Sequence, residues 1–325
     1  MNNENLDEIK DVLIAINEST PPYIKQGFLK ALDRLGSALI DIPVSKLERY
    51  AKENRAITET RSKIINSIGD SIGNKVETLK EYSDYSVEKY AKKILGRQIN
   101  IDAIAVITAK NINNSAYVSE ESSYKEISDE WLNEFSNIAE KKSSDDMRMI
   151  FGKILAKEVC QPGQVSIRSL HIISQLEKEV AISFQKFCAF CLKHIENGNI
   201  TTAFAPTFGS GILNNFSFSK FDFPDYNISK LMDYGLINNA TEFSYNFSSC
   251  IDDGRENFKS FAWFGNRNIK LKKTVNYKDQ DKISIHALFL TDVGSNLFSI
   301  ISTDPDVRIL EKLEIYFEKN GLKLL

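Results

Sequence analysis

Hydrophobic residues in the N-terminal part of the chain recur at spacings of three and four, which is the period of an amphipathic helix. The first series runs from residue 5 to residue 17 and stops at the sequence STPP. The second series follows these prolines and ends before Pro43; its apolar residues are Phe28, Leu29, Leu32, Leu35, Leu39 and Ile40. Each series forms one apolar stripe opposite a polar face. We therefore expect amphipathic N-terminal helices over residues 1–43.

Residues 44–110 predict a long helical arm. Proline is absent between Val44 and Leu95, and the apolar series of this region steps mostly by four. That spacing is closer to an eleven-residue repeat than to a heptad, and it is typical of a nearly straight or slightly right-handed supercoil. Gly69 and Gly73 indicate either close helix packing or a local break, and the sequence leaves both open. We expect this arm to support self-association, so the protein is predicted to be a homo-oligomer.

A polar segment rich in asparagine and serine, residues 109–126, predicts a domain boundary. Two helices follow it, joined at the sequence KKSSDD. Ser143 or Ser144 is expected to cap the second of them, which Pro162 and Gly163 should end. Two further helices of unequal length are predicted on either side of a break at residues 175–178.

The C-terminal part of the chain mixes two periods. Residues 242–286 alternate aromatic and polar side chains as strands do, and Gly265-Asn266 predicts a turn. Residues 287–301, ALFLTDVGSNLFSII, predict a strand and then a helix that starts at Thr291 or Asp292. A helix ending at Gly235, a strand, a returning strand and a final helix is an order typical of winged-helix domains.

The fold class expected from these patterns is mainly α with a smaller β part (α+β). Long N-terminal helices precede a winged-helix-like domain over residues 124–325. Within that domain, residues 197–285 are expected to form a variable insertion, and the composition shifts to Gly, Asn, Ser, Phe and Thr at its start.

Composition and charge limit the classes of function that the protein can have. The formal net charge of −3 over 325 residues gives no global attraction to phosphate, so any nucleic-acid contact requires a local basic patch. The N-terminal sequence MNNENLDEIK lacks the features of a signal peptide, and the most apolar windows are about half the ~20 residues that span a bilayer. Four scattered cysteines do not predict a disulfide framework. We expect a cytoplasmic protein with reduced thiols.

No pattern of residues predicts a catalytic site. Cys188, Cys191 and His194 have zinc-ligand chemistry, but their spacing also fits a buried helix face, which we favour. The sequence GSGILNN lacks the lysine of a phosphate-binding loop. We therefore expect no enzyme activity, no metal and no cofactor.

Basic residues cluster at one place in the C-terminal part. The candidates for contact with phosphate are Arg168, Arg267, Lys270, Lys272, Lys273 and Lys278. Strand alternation should send Lys270 and Lys272 to one face and Lys273 to the other. A solvated face without a ligand explains the same pattern.

Several blocks carry a family resemblance, namely WLNEF at 131–135, the helical block 145–184, YGLI at 234–237, LTDVGSNL at 290–297 and the leading segment 41–65. Together they resemble the uncharacterised bacterial family DUF2806. The resemblance implies structural roles for the family-motif positions Trp131, Glu158, Pro162, Ser166, Arg168, Gly235, Thr291 and Gly294. A weaker resemblance, in spacing only, is to the abortive-infection alpha family, and it implies a role in defence against phage.

These observations lead to three functional hypotheses. The first is a non-catalytic protein that acts through protein–protein contacts, in abortive-infection defence. The alternative is a nucleic-acid-binding winged-helix module that uses the lysines of residues 270–278. The third is a membrane-associated effector that acts through residues 1–43.

Overall fold

The computed structural model describes residues 20–36, 80–113, 125–196, 199–208, 217–238, 243–252, 254, 258–278 and 283–325. The chain divides into two compact units, Met1–Ile167 and Arg168–Leu325. Within the described ranges, no helix is both long and apolar enough to cross a bilayer. The helix predicted at 5–17 and the first part of the predicted arm, 44–79, lie outside these ranges.

Four helices make up the described part of the first unit. They are α1 (Pro22–Arg34), α2 (Lys80–Asn113), α3 (Asp129–Ala139) and α4 (Asp145–Cys160). On α1, the buried side includes Ile24, Phe28 and Leu32, whereas Leu29 is 56% exposed. Leu29 therefore lies off the apolar stripe in which the sequence pattern placed it.

The described part of the predicted arm is helical, and it is packed against another helix. Helix α2 has 34 residues and packs against α4, burying Ile101, Ile104 and Ile112. Gly152 of α4 lies so close to Ile107 that a β-carbon there would overlap it. Because α4 packs on α2, the two helices belong to the same compact unit, Met1–Ile167.

Several local signals of the sequence are confirmed in α4 and the loop after it. Ser144 is the N-cap, and its hydroxyl accepts a hydrogen bond from the Met147 amide at 3.4 Å. The helix ends at Cys160, and Gly163 adopts a left-handed φ of 88° in the loop that follows. The loop requires glycine at this point because an L side chain disfavours that conformation.

The second unit contains five helices and eight strands in its described part. The helices are α5 (Ile167–Ser174, which begins at the division), α6 (Lys178–Cys188), α7 (Asp225–Asp233), α8 (Asp292–Ile300) and α9 (Val307–Lys319). The strands are β1 (Leu192–Glu196), β2 (Asn199–Pro206), β3 (Ser244–Asn246), β4 (Ala262–Phe264), β5 (Arg267–Asn268), β6 (Leu271–Lys273), β7 (Ser284–Phe289) and β8 (Leu322–Leu324). Two short 3-10 helices lie at Ser217–Phe221 and Ser248–Cys250.

The strands form two sheets. Six follow the order β3-β7-β2-β1-β4-β5 with antiparallel neighbours, and β6 pairs with β8 in a separate two-stranded ribbon. Helices together with mostly antiparallel strands confirm the α+β class. Strand β2 lies in the middle of the six-stranded sheet, and its residues Ala203, Phe204 and Ala205 are fully buried.

Between the strand expected after Gly235 and the returning strand, the described residues show one antiparallel bridge, Ile237 to Leu290. The reason is that β7 uses its two edges for β2 and β3. The turn predicted at Gly265-Asn266 is confirmed between β4 and β5, with Gly265 at a φ of 57°.

Candidate functional site

The β6–β8 ribbon carries the densest group of lysines among the predicted site residues. Its antiparallel register places Lys272 directly opposite Lys323, between the pairs Leu271–Leu324 and Lys273–Leu322. The three leucines are buried. Since successive side chains of a strand point to opposite faces, Lys272 and Lys323 both lie on the outer face.

The register continues beyond the ends of both strands. The Leu325 amide donates a hydrogen bond to the Lys270 carbonyl at 2.9 Å, and Lys270 shares the face of Lys272 by alternation. The Arg267 guanidinium donates to the Leu325 carbonyl at 2.9 Å, which holds this edge of the ribbon. We refer to Lys270, Lys272 and Lys323 as the basic face of the ribbon.

Within the described ranges, none of these three lysines forms an ion pair or a side-chain hydrogen bond. Like charges directly opposite on a sheet are destabilising by a fraction of a kcal/mol, so the pair Lys272–Lys323 opposes the pairing of its own strands. A bound anion would remove this repulsion. The arrangement therefore has the chemistry of a phosphate-contacting surface without the reactive groups of a catalytic site.

The other predicted basic residues do not join this face. Lys273 lies beyond it, with its ammonium 4.6 Å from the centre of the Tyr277 ring. Lys278 is exposed further along the chain, and Arg168 is exposed in the first turn of α5. No contact among the described residues connects either of them to the basic face. Lys323, in contrast, was missed by the sequence analysis; the alternation in GLKLL was its only signal.

The family-motif positions lie in two structural clusters. The first, which we call the loop clamp, consists of Trp131 and Glu158 with the loop 161–166. The Glu158 carboxylate accepts hydrogen bonds from the amides of Gly163 at 2.6 Å and Val165 at 3.0 Å. The Trp131 indole donates to the Val165 carbonyl at 2.7 Å. Pro162 and Ser166 belong to the loop that these bonds hold.

Electrostatics of the loop clamp favour a structural role. Glu158 is 2% exposed, and its burial raises the pKa of the carboxyl above the ordinary value, although the backbone amides of the loop act in the opposite direction. A raised carboxyl pKa is also a feature of catalytic acids. Here, however, both carboxylate oxygens accept hydrogen bonds from backbone amides of the loop. We therefore interpret the carboxylate as a group that holds the loop in place.

The second cluster, the helix clamp, joins the end of α7 to the start of α8. The Thr291 hydroxyl donates to the Gly235 carbonyl at 2.6 Å and accepts from the Gly294 amide at 3.1 Å, as an N-cap does. Gly235 has a left-handed φ of 67°, and Gly294 lies against the Leu236 carbonyl, which leaves no room for a β-carbon. In this turn, Thr291 caps α8, Gly235 supplies the left-handed residue and Gly294 permits the close approach.

A further polar array was missed because its members are distant in sequence. The His194 ring contacts the Tyr245 hydroxyl through Nδ1 at 2.7 Å and the Glu196 carboxylate through Nε2 at 2.9 Å. Such a chain of phenol, imidazole and carboxylate has the components of a proton relay. Tyr245 is only 8% exposed and stacks on Phe204 at 4.1 Å, and burial raises the pKa of its phenol. We interpret the array as structural, because His194 provides the hydrogen-bond partner of the buried Tyr245 hydroxyl.

The candidate zinc ligands are divided between two elements. Helix α6 ends at Cys188, and His194 lies on β1, so the continuous helical stripe expected for Cys188, Cys191 and His194 is wrong. Cys188 and Cys191 are buried, and burial raises the pKa of the Cys188 thiol, which disfavours the thiolate that a metal needs. Among the described residues, no group of three or more His, Cys, Asp and Glu side chains is arranged to hold a metal.

Comparison with known proteins finds a match to a family model, but not to an individual protein. No curated protein and no solved structure matches this chain. A family model described as "Protein of unknown function (DUF2806)" matches residues 87–314, which is more than half of the chain and includes every residue of both clamps. The chain therefore belongs to the DUF2806 family.

Proposed function

We propose that this protein is non-catalytic and acts through protein–protein contacts, with self-association along α2 as the first of them. The observation that carries the proposal is an apolar stripe on α2 that is covered in one half and open in the other. Ile101 and Ile104 are buried, whereas Tyr90 and Ile94 are 58% and 43% exposed.

All these residues lie on one side of the helix. At 3.6 residues per turn, Tyr90 and Ile94 each point within about 20° of the direction of Ile101. A stripe that is core at one end thus continues as an open apolar surface at the other, and open apolar patches are typical of interaction sites.

A second copy of the chain is the occupant that we propose. An interface between two copies is self-complementary, so the open half of the stripe on one copy can pack against the same half on the other. Tyr90 and Ile94 would then be covered between copies as Ile101 and Ile104 are covered within one copy.

Sedimentation-velocity measurements of the full chain over a range of concentrations test this proposal. We expect a dimer for the native chain and a monomer for Ile94→Glu. The matched control is Ile99→Glu, because Ile99 is 44% exposed but lies on the opposite side of the helix. A native chain that remains monomeric, or equal effects of the two substitutions, would contradict the proposal.

The finer fold is also part of the proposal. We propose a winged-helix-like topology for the second unit. Two features support it: α5 and α6 are joined by a short turn and followed directly by the β1–β2 hairpin, and the helix clamp starts α8 as the sequence analysis expected. The setting we propose is abortive-infection defence, supported only by the spacing resemblance described above.

Nucleic-acid binding is the second candidate function, and the basic face of the ribbon favours it. Three lysines without intramolecular partners among the described residues lie on a ribbon that buries its other side. Phosphate contacts of this kind are independent of base sequence and weaken steeply with salt. Helix α5 adds the exposed Arg168 in its first turn.

Fluorescence anisotropy with labelled double- and single-stranded DNA and RNA, at low and high salt, tests this candidate. We expect binding at low salt that is lost in Lys272→Glu combined with Lys323→Glu. The control is Lys186→Glu combined with Lys220→Glu, which changes the net charge equally at exposed sites away from the ribbon. Absence of binding at low salt, or equal losses in both double variants, would eliminate the candidate.

A further inference from the structure

A cavity of about 390 Å³ lies within the second unit, apart from the ribbon and both clamps. One wall is the β1–β2 part of the six-stranded sheet, and the opposite wall is the end of α8 with the segment that leads to α9. The wall residues on which the argument depends are Lys193, Ile200, Asn266, Phe298, Ser302 and Thr303. The volume lies within the ~300–1,000 Å³ range of small-molecule sites.

Lys193 is the unusual group in this cavity. It lies on β1, whose backbone is paired on both sides, with Ala203 of β2 and with Trp263 of β4. The sheet therefore fixes the backbone position of Lys193. The side chain is half-buried, and burial alone lowers the pKa of its ammonium.

No described residue compensates this charge. Lys193 forms no ion pair or hydrogen bond with any of them, and no carboxylate acts to raise its pKa. Asp304 lines the same cavity but does not pair with it. An ammonium removed from water without a partner is destabilising, so an anion placed against Lys193 would gain both attraction and the relief of that cost.

The remaining walls combine apolar surface with available donors. Ile200 and Phe298 are apolar. The side chains of Asn266, Ser302 and Thr303 have no hydrogen-bond partner among the described residues, so their donors are available to a ligand. The lining thus places two apolar side chains beside several convergent polar groups, which suits a ligand that is apolar at one end and polar at the other.

We propose that the cavity binds a small organic monocarboxylate, with its carboxylate on the Lys193 ammonium and its apolar body against Ile200 and Phe298. A polyphosphate fits less well for two reasons. The wall offers one cation rather than several, and Asp304 would repel a multiply charged ligand. The proposal is independent of self-association and of nucleic-acid binding.

Ligand-observed NMR and calorimetric titration of the full chain test this site. The probes are hexanoate and phenylacetate, and hexanamide and phenylacetamide serve as their uncharged counterparts. We expect at least one acid to bind and its amide not to bind. The variant Lys193→Met should weaken the binding of the acid by at least about tenfold. Lys186→Met is the matched control, because Lys186 is exposed on α6, and it should leave binding unchanged.

A second variant separates loss of the site from loss of the fold. Thr303→Trp leaves Lys193 in place and fills the cavity from the loop side, so it should also abolish binding while the thermal transition is retained. Lys193→Met should unfold at the same or a higher temperature, because an uncompensated charge is removed. Failure of both acids to bind, equal binding of acids and amides, or full binding by Lys193→Met would each overturn the proposal.

Discussion

The two clamps and the basic face of the ribbon make opposite uses of polar groups. In the clamps, the Glu158 carboxylate and the Thr291 hydroxyl are hydrogen-bonded to backbone partners, at distances of 2.6–3.1 Å. On the basic face, three lysines have none among the described residues. Both regions are polar, but only the second has hydrogen-bonding capacity left for another molecule.

This difference separates structural from functional candidates. A polar group whose donors and acceptors are all used within the fold contributes stability, because its removal leaves buried partners unsatisfied. An exposed cation without a partner contributes little to stability and can be replaced at small cost. Substitutions in the clamps should therefore change folding, whereas substitutions on the ribbon should change binding.

The largest effect is expected at Gly294. A methyl group there would overlap the Leu236 carbonyl, a backbone atom that cannot move alone, so Gly294→Ala should lower the free energy of unfolding by about 3 kcal/mol. The control is Gly96→Ala on α2, where a methyl group meets open space; it should raise stability by up to about 1 kcal/mol. Urea denaturation measures both. Equal effects would show that the close approach is not present in solution.

Glu158 should give the next largest effect. Glu158→Ala leaves the amides of Gly163 and Val165 without their acceptor and should cost about 2–3 kcal/mol. The pH dependence has a defined sign. Burial raises the carboxyl pKa of the folded chain above its ordinary 4.5, so the folded chain binds more protons than the unfolded chain in the window above that value. The contribution of Glu158 to stability is thus highest below pH 4.5 and falls as the pH rises through the window.

Glu158→Gln isolates this pH effect, because glutamine keeps the shape and cannot ionise. Denaturation of the two proteins should be compared across the acidic range. We expect the difference between them to vary with pH in the stated direction. A constant difference would contradict the raised pKa of the buried carboxyl.

Thr291 should give a smaller effect. Thr291→Val has the same shape but removes both the N-cap bond to the Gly294 amide and the bond to the Gly235 carbonyl, and should cost about 1–2 kcal/mol. Thr291→Ser retains the hydroxyl and should recover most of this loss. If serine and valine are equally destabilising, the threonine methyl group rather than the hydroxyl stabilises the turn.

The smallest effect, of opposite sign, is expected on the ribbon. Lys323→Glu replaces a like-charge pair with an opposite-charge pair across from Lys272 and should raise stability by about 0.2–1 kcal/mol at low salt. The gain should shrink as salt screens the charges. Lys186→Glu, remote from the ribbon, should show no such gain. A loss of stability in Lys323→Glu would mean that the two lysines are not opposed.

Local features of the fold were predictable from sequence because they depend on neighbouring residues. The cap at Ser144, the left-handed Gly235 and the start of α8 at Thr291 each follow from a few adjacent positions. The turn at Gly265 is of the same kind. In each case the backbone conformation itself selects the residue type.

Strand partners were not predictable because alternation gives the two faces of a strand but not its neighbour. Nothing in residues 271–273 indicates that they pair with 322–324, and Lys323 was therefore missing from the candidate site. For the same reason, the contact of His194 with Tyr245 was not predictable from the sequence.

The pairing of β6 with β8 also makes the basic face conditional on the fold. Lys272 and Lys323 are distant in the sequence and lie side by side only through the register of the two strands. Local opening of the ribbon would separate them, so the cationic surface exists only while the strands are paired.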